Sequence, residues 1–116
     1  QTPAHQKVLP HYPANFRDFP RLGLVVCYAT LYTVANAIRK AGSVDTEKLI
    51  AALKGLEMET PIGPIVYRPI DGQSTMGAYV GQLAKKNGKG VMVNWHFSDG
   101  ALFLPPFEEV RAMRKD

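Results

Sequence analysis

Cysteine is nearly absent. Cys27 stands alone, so no intrachain disulfide framework can form. It lies in an apolar stretch, where a small buried thiol is the ordinary role. No histidine or acid neighbours it in sequence, so nothing supports a cysteine nucleophile with a base partner. Histidine is scarce as well: His5, His11 and His96 lack the spacing of a helix-face metal pair, and no cysteine cluster joins them. No metal site and no cofactor are expected. Unbroken apolar runs of the ~20 residues that span a bilayer are missing. The start, Gln1-Thr2-Pro3-Ala4-His5-Gln6, lacks both an initiating Met and the charged-then-apolar pattern of a signal peptide, so the chain reads as a processed product or a fragment. Internal repeats and low-complexity segments are absent too.

Nor is there a phosphate loop. Gly77 and Gly81 fall in an expected strand and Gly88 and Gly90 in an expected turn, so no strand–glycine loop–helix order appears. Glu57, Glu59 and Asp71 border loops, where acids are ordinarily just solvated, and Glu108 and Glu109 suit the first turn of a helix. No catalytic residues emerge, and the chain is expected not to be an enzyme.

What is present suits one soluble domain or part of one: 116 residues, 46% hydrophobic and 21% charged. The net charge of +4 invites the thought of an acidic partner. Its basic residues are scattered, however, and the densest cluster, Lys85-Lys86-Asn87-Gly88-Lys89, falls in a turn. A solvated surface is the expectation, with no nucleic-acid partner.

Residues 1–20 carry Pro3, Pro10, Pro13 and Pro20, which rule out a long regular helix and leave room for a short one near 4–9. Tyr12, Phe16 and Phe19 are expected to anchor this arm. Over 24–41, Leu24, Tyr28, Leu31, Ala35 and Ile38 recur on one helical face, with Thr33, Asn36 and Lys40 on another. Arg39 and Lys40 suit the negative end of the helix dipole, and Gly42 suits the left-handed position beyond it. A second helix follows, capped by Ser43 or Asp45, striped by Leu49, Ile50 and Leu53, and stopped at Gly55.

Thr60-Pro61-Ile62-Gly63-Pro64 is a stiff turn, Ile65–Arg68 a short strand, and Asp71-Gly72 the centre of a loop. Residues 77–85 and 91–97 form a hairpin closed by Asn87-Gly88. Val91, Val93, Trp95 and Phe97 alternate, which predicts one apolar face. Pro105 to Met113 begins with prolines and acids, as a terminal helix would. Tyr28 and Tyr32, beside the apolar stripe, are either core or the wall of a ligand site.

Two ordered stretches carry a resemblance. One runs from Cys27-Tyr28-Ala29-Thr30 through Ala37-Ile38-Arg39-Lys40-Ala41-Gly42-Ser43 to Asp45-Thr46-Glu47-Lys48-Leu49 and Gly55. The other is Thr60-Pro61-Ile62-Gly63-Pro64-Ile65 with Arg68, Asp71-Gly72-Gln73 and Tyr79-Val80-Gly81. Over roughly residues 4–113 the chain resembles the C-terminal segment of periplasmic solute-binding proteins that feed branched-chain amino acid ABC importers.

The resemblance implies an α/β fragment of a two-lobed periplasmic binding protein fold, a helix pair followed by a short strand and a β-hairpin. Residues 1–73 would belong to one lobe, 74–80 to a hinge crossing and 81–116 to the other lobe. It implies a periplasmic protein that holds an amino acid or similar small solute between lobes and delivers it to an ABC permease. The segment entering the first long helix lies near the family's cleft, so Tyr28, and with it Cys27 and Val26, would touch ligand. Relatives run a continuous helix where Pro10 and Pro13 stand, and commonly have glycine at the Cys27 position. Most recognition residues of the family lie upstream, so this segment alone is expected not to hold a solute. Its uncovered faces imply self-association through the 77–97 hairpin. The alternatives are a ligand-sensing domain of a regulator with the same fold, or an interaction module that has lost ligand binding.

Overall fold

The twenty residues from Leu22 to Ala41 build the longest element, α3, in the computed structural model, which describes residues 2–8, 10–17 and 20–114. Ahead of it come α1 (Pro3–Val8) and α2 (His11–Phe16). The prolines shorten these helices as expected, yet α2 forms where none was predicted. Pro13 is its third residue, inside the first turn, where backbone N–H groups have no intrahelical acceptor and a missing donor costs nothing. Thr2 caps α1 by accepting from the His5 N–H (3.1 Å) and also donates to the Pro61 carbonyl (3.0 Å). That hydroxyl ties the arm to the rest of the chain. The aromatic anchors are weaker than expected: Tyr12 is half-buried and tilts onto Phe16 at 4.8 Å, while Phe16 itself is 66% exposed. Phe19 lies outside the described residues.

The buried stripe of α3 is Ala29, Thr33 and Ala37. This corrects the expected stripe: Leu31 is 71% exposed, and Thr33, assigned to the polar face, is buried. Small side chains let the helix axis lie close against its neighbours, α4 (Thr46–Leu53) and β1 (Glu57–Thr60). The Thr33 hydroxyl meets the Ala29 carbonyl (2.7 Å), the Met58 sulfur (3.1 Å) and the Tyr67 hydroxyl (2.8 Å), so its burial leaves nothing unpaired. Cys27, half a turn round from that stripe, is exposed rather than buried. By length and composition α3 could cross a membrane. Its buried stripe and its polar Asn36, Arg39 and Lys40 instead fit a helix lying along one side of a folded domain.

Asp45 caps α4 by accepting from the Lys48 N–H (3.1 Å). The next strand, β1, was not expected. Its alternation of exposed Glu57 and Glu59 with buried Met58 and Thr60 is a period of two, short enough to be read as loop. It pairs antiparallel with β2 (Gly63–Val66), Met58 opposite Ile65, across the stiff Pro61-Ile62 turn. Ile65, Met58, Leu56, Ala52 and the α3 stripe make the small core. Full burial of a side chain such as Ile65 stabilises by roughly 1.5–3 kcal/mol.

After the 68–74 loop the chain leaves for a second hairpin, β3 (Ala78–Lys86) and β4 (Lys89–Ser98). Asn87 and Gly88 close it with φ of 51° and 77°, the double positive φ of a tight hairpin turn. Val80 pairs with His96 but Gln82 with Val93, so Asn94 and Trp95 together oppose Gly81. This bulge, with Asn94 at φ 50°, reverses the side-chain alternation. Val91 and Val93 therefore face one way and Trp95 and Phe97 the other, and the single apolar face expected of the four does not exist.

A 3₁₀ turn (Gly100–Phe103) and α5 (Phe107–Met113) complete the chain. Val110 of α5 is buried, and Arg114 donates to the Ile70 (2.5 Å) and Asp71 (3.2 Å) carbonyls, so the end of the chain returns to the helix-rich part.

Candidate functional site

Three segments meet where the arm, the first hairpin turn and the second hairpin approach each other. Thr2 holds α1 on the Thr60 and Pro61 carbonyls, which sets His5 beside Pro61 and Ile62. On the far side the bulge turns Trp95 onto the face of Tyr79. The two rings meet edge-on at 5.4 Å and 79°, and Phe97 tilts against Tyr79 at 5.2 Å. Gly81 between them has no room for a side chain: a Cβ would sit 2.7 Å from Met92 Cγ and 2.9 Å from Trp95 Cβ. Met92 and Trp95 thus share one surface. The result is a groove of about 410 Å³ lined by His5, Pro61, Ile62, Tyr79, Met92 and Trp95.

The same His5, Pro61 and Ile62 wall a smaller hollow of about 100 Å³ that reaches Leu24, Val25 and Tyr28 at the start of α3. Tyr28 also borders a third space, about 310 Å³, between α2 and α3. There it stacks on Tyr32 at 4.3 Å, the i+4 neighbour on the same face. Burial raises the Tyr28 phenol above its usual value, and the Tyr32 hydroxyl adds to the rise. Tyr28 therefore stays neutral, a donor and acceptor at physiological pH.

Successive helix residues point 100° apart, so Val26, Cys27 and Tyr28 cannot all face one space. Tyr28 turns toward the hollows. Cys27 and Val26 are exposed and line neither of them, and the Val26 carbonyl accepts from Thr30 Oγ1 (2.9 Å). The groove residues went unnoticed in the sequence. Tyr79 and Trp95 could be named only with the bulge in hand, and Asn94, the residue that makes it, carries no turn partner in sequence.

A further hollow of about 370 Å³ is bordered by Thr33, Leu53, Tyr67, Asp71 and Arg114. Four of its polar side chains are already engaged. Thr33 and Tyr67 bond each other, Arg114 is spent on loop carbonyls, and Asp71 is forked by Arg68. That ion pair, with the Gln73 N–H on the same carboxylate, holds Asp71 below the usual carboxylate range against the opposing cost of burial. Arg68 also donates to the Pro105 carbonyl (2.8 Å) and lies 5.4 Å from the Phe107 ring centroid. The cluster is a structural clasp rather than an open site. Among the described residues no three His, Cys, Asp or Glu side chains converge as a metal cage.

The periplasmic binding protein family profile matches residues 1–89. Solved structures with the same fold come from Rhodopseudomonas palustris. An ABC-type branched-chain amino acid transporter protein from strain CGA009 superposes at TM-score 0.75 with 28% identity, over 82% of this chain and 27% of its own. An ABC transporter protein from that species gives TM-score 0.64 and 31% identity over 72% and 26%. A solute binding protein of an ABC transporter from strain BisB5, solved with 3,4-dihydroxy benzoic acid, gives 0.74 and 26% over 85% and 28%. The chain thus spans about a quarter of the length of each neighbour. Among curated proteins none matches. With its helix pair, first hairpin and arm all inside the matched residues, the chain belongs to the periplasmic binding protein family.

Proposed function

We propose that this chain is the C-terminal segment of the solute-binding component of an ABC importer, working in the periplasm, and that it supplies one wall of the solute cleft. The observation that carries this reading is the shared fold: most of the chain superposes on transporter proteins while covering about a quarter of each. A cleft that closes on a solute needs two walls. The groove at His5 is largely open to solvent, as a single wall would be. Tyr28 is the leading contact, since it offers apolar area and one hydroxyl. Val26 and Cys27 precede it on the helix and border neither hollow. Branched-chain amino acids and small ring acids are the solutes to test first, because one neighbour is a branched-chain amino acid transporter protein and another was solved with 3,4-dihydroxy benzoic acid. The delivery partner is an ABC permease.

The test is a calorimetric titration of the longest available form with both solute classes. Tyr28→Ala is expected to weaken the tighter solute about tenfold, or ~1.4 kcal/mol. Unchanged affinity in that variant would remove Tyr28 from the site.

The exposed hairpin favours a second reading for the chain in isolation. Leu83 is 90% exposed on an unpaired two-stranded sheet, a surface suited to self-association.

A further inference from the structure

Three steps in the chain place an Asp or Asn directly before glycine: Asp71-Gly72, Asn87-Gly88 and Asp99-Gly100. At such a step the glycine nitrogen can attack the side-chain carbonyl before it, because glycine has no Cβ to hinder the approach and its backbone turns freely. The structure separates the three. The Asp71 carboxylate is held by Arg68 and by the Gln73 N–H (3.0 Å), and the attacking group, the Gly72 N–H, donates to the Arg68 carbonyl (2.8 Å). Asp99 accepts from the Ala101 N–H (2.9 Å), and the Gly100 backbone is wedged so tightly that a Cβ would stand 2.3 Å from the Met76 carbonyl oxygen. Neither pair can reach ring-closing geometry without breaking those contacts.

Asn87-Gly88 has no such restraint. Among the described residues nothing bonds to the Asn87 side-chain amide or to the Gly88 N–H. Every residue from Lys85 to Gly90 is exposed. The turn closes the distal end of β3 and β4, where the last pairs are Lys85 with Gly90 and Lys86 with Lys89. Swinging it open breaks only terminal, solvent-exposed hydrogen bonds, the kind that open most often. Lys85, Lys86 and Lys89 flank the step, and no acid stands among residues 82–92. Their positive field favours loss of the Gly88 amide proton and the oxyanion that forms on attack, an effect that salt screens.

We propose that Asn87 is a spontaneous modification site, converted through a cyclic imide to aspartate and isoaspartate at the tip of the hairpin. The Gly88 nitrogen bonds to Asn87 Cγ and gives up its proton, the Cγ–Nδ2 bond breaks, and ammonia leaves with that proton. Water then opens the imide. Opening at Cγ leaves aspartate, and opening at the main-chain carbonyl leaves isoaspartate. The net change is amide and water to carboxylic acid and ammonia, with nothing oxidised or reduced. Either product sets a carboxylate among the lysines of the tip. In isoaspartate the chain runs through Cβ and Cγ, which inserts an extra main-chain atom into a tight turn and spoils the register of the pairs beside it.

The test is incubation of the 116-residue chain, folded and in parallel unfolded in urea, at mildly alkaline pH, followed by peptide mass mapping. In the folded chain the tip peptide is expected to gain the mass difference between a hydroxyl and an amino group and to split into aspartate and isoaspartate forms. Conversion should run at least about tenfold faster than at Asn94, where Trp95 follows in place of glycine, and added salt should slow it. Asp71 and Asp99 should yield no isoaspartate while the chain stays folded. Asn87→Gln should abolish the change, because its longer side chain closes a larger and less accessible ring. In the isoaspartate form the amide signals of residues 85–90 should move and those of α3 stay in place. Conversion in urea with none in the folded chain overturns the proposal, because the turn would then protect Asn87. Isoaspartate forming at Asp71 or Asp99 as fast as at Asn87 overturns it too, as does a mass gain that persists in Asn87→Gln.

Discussion

Arg68 connects three segments through one side chain: the exit of β2, the 71–73 loop and the return segment at Pro105 and Phe107. Arg68→Ala removes the Pro105 hydrogen bond and the Phe107 contact and leaves Asp71 without its fork partner. We expect a loss of about 2 kcal/mol in urea unfolding, with Arg68→Lys only partly restoring it, because an ammonium cannot fork a carboxylate. Asp71 gives the matching pH dependence. Its folded pKa is held down, first by Arg68, so its contribution is complete above the unfolded value of about 3.9 and is lost as pH falls through the lower folded value. Urea midpoints at neutral pH and near pH 2 should therefore differ more in the parent protein than in Asp71→Asn. Equal differences would mean that the carboxylate is not held down. Thr33 is the other residue whose chemistry decides packing. Thr33→Val keeps the shape but strips the Tyr67 hydroxyl of its partner, an expected cost of about 1–2 kcal/mol.

At the scale of elements, what was legible in sequence is what local chemistry decides. The α3–α4 pair, the Asp45 cap and the Asn87-Gly88 hairpin turn follow from periodicity, capping and positive φ, each set within a few residues. What was not legible depends on partners far away in sequence. The buried face of α3 is chosen by close approach to β1, which favours Ala29, Thr33 and Ala37 over the bulkier stripe that periodicity marked. The bulge at Asn94 is set by pairing with β3, and it alone brings Trp95 to Tyr79. Of the site, Tyr28 and Tyr32 are the hollow-lining residues that the sequence marks, because both sit beside the apolar stripe of one helix.

The passage into and out of the second hairpin is held by two close backbone contacts. A Cβ on Gly77 would stand 2.3 Å from the Ser98 carbonyl oxygen, and one on Gly100 would stand 2.3 Å from that of Met76. Backbone cannot yield as a side-chain tip can. Gly77→Ala and Gly100→Ala should each force the two crossings apart. Faster amide exchange across 74–78 and 98–101 would be the sign, with α3 and α4 unaffected.

The whole molecule is longer than its chain length requires. Its radius of gyration is 17.3 Å, against about 13 Å for a compact domain of this many residues, and its extents are 55 × 33 × 19 Å. The hairpin projects from the helix-rich part, and most of its apolar side chains remain exposed. Such a surface seeks cover. Sedimentation of the isolated chain is expected to show concentration-dependent dimers that Leu83→Glu shifts toward monomer. A mass that stays monomeric at high concentration would set aside the self-association reading without touching family membership.

The most direct test of the central claim, that this chain contributes one wall of a transport receptor's cleft, is paired calorimetry. The isolated chain and the longest form that contains it are titrated with the same branched-chain amino acids and aromatic acids. The account predicts binding no tighter than about millimolar for the chain and at least a hundredfold tighter for the longer form, the gain that a second wall and exclusion of water supply. Equal affinity in the two forms, or a longer form that binds none of these solutes, would contradict it.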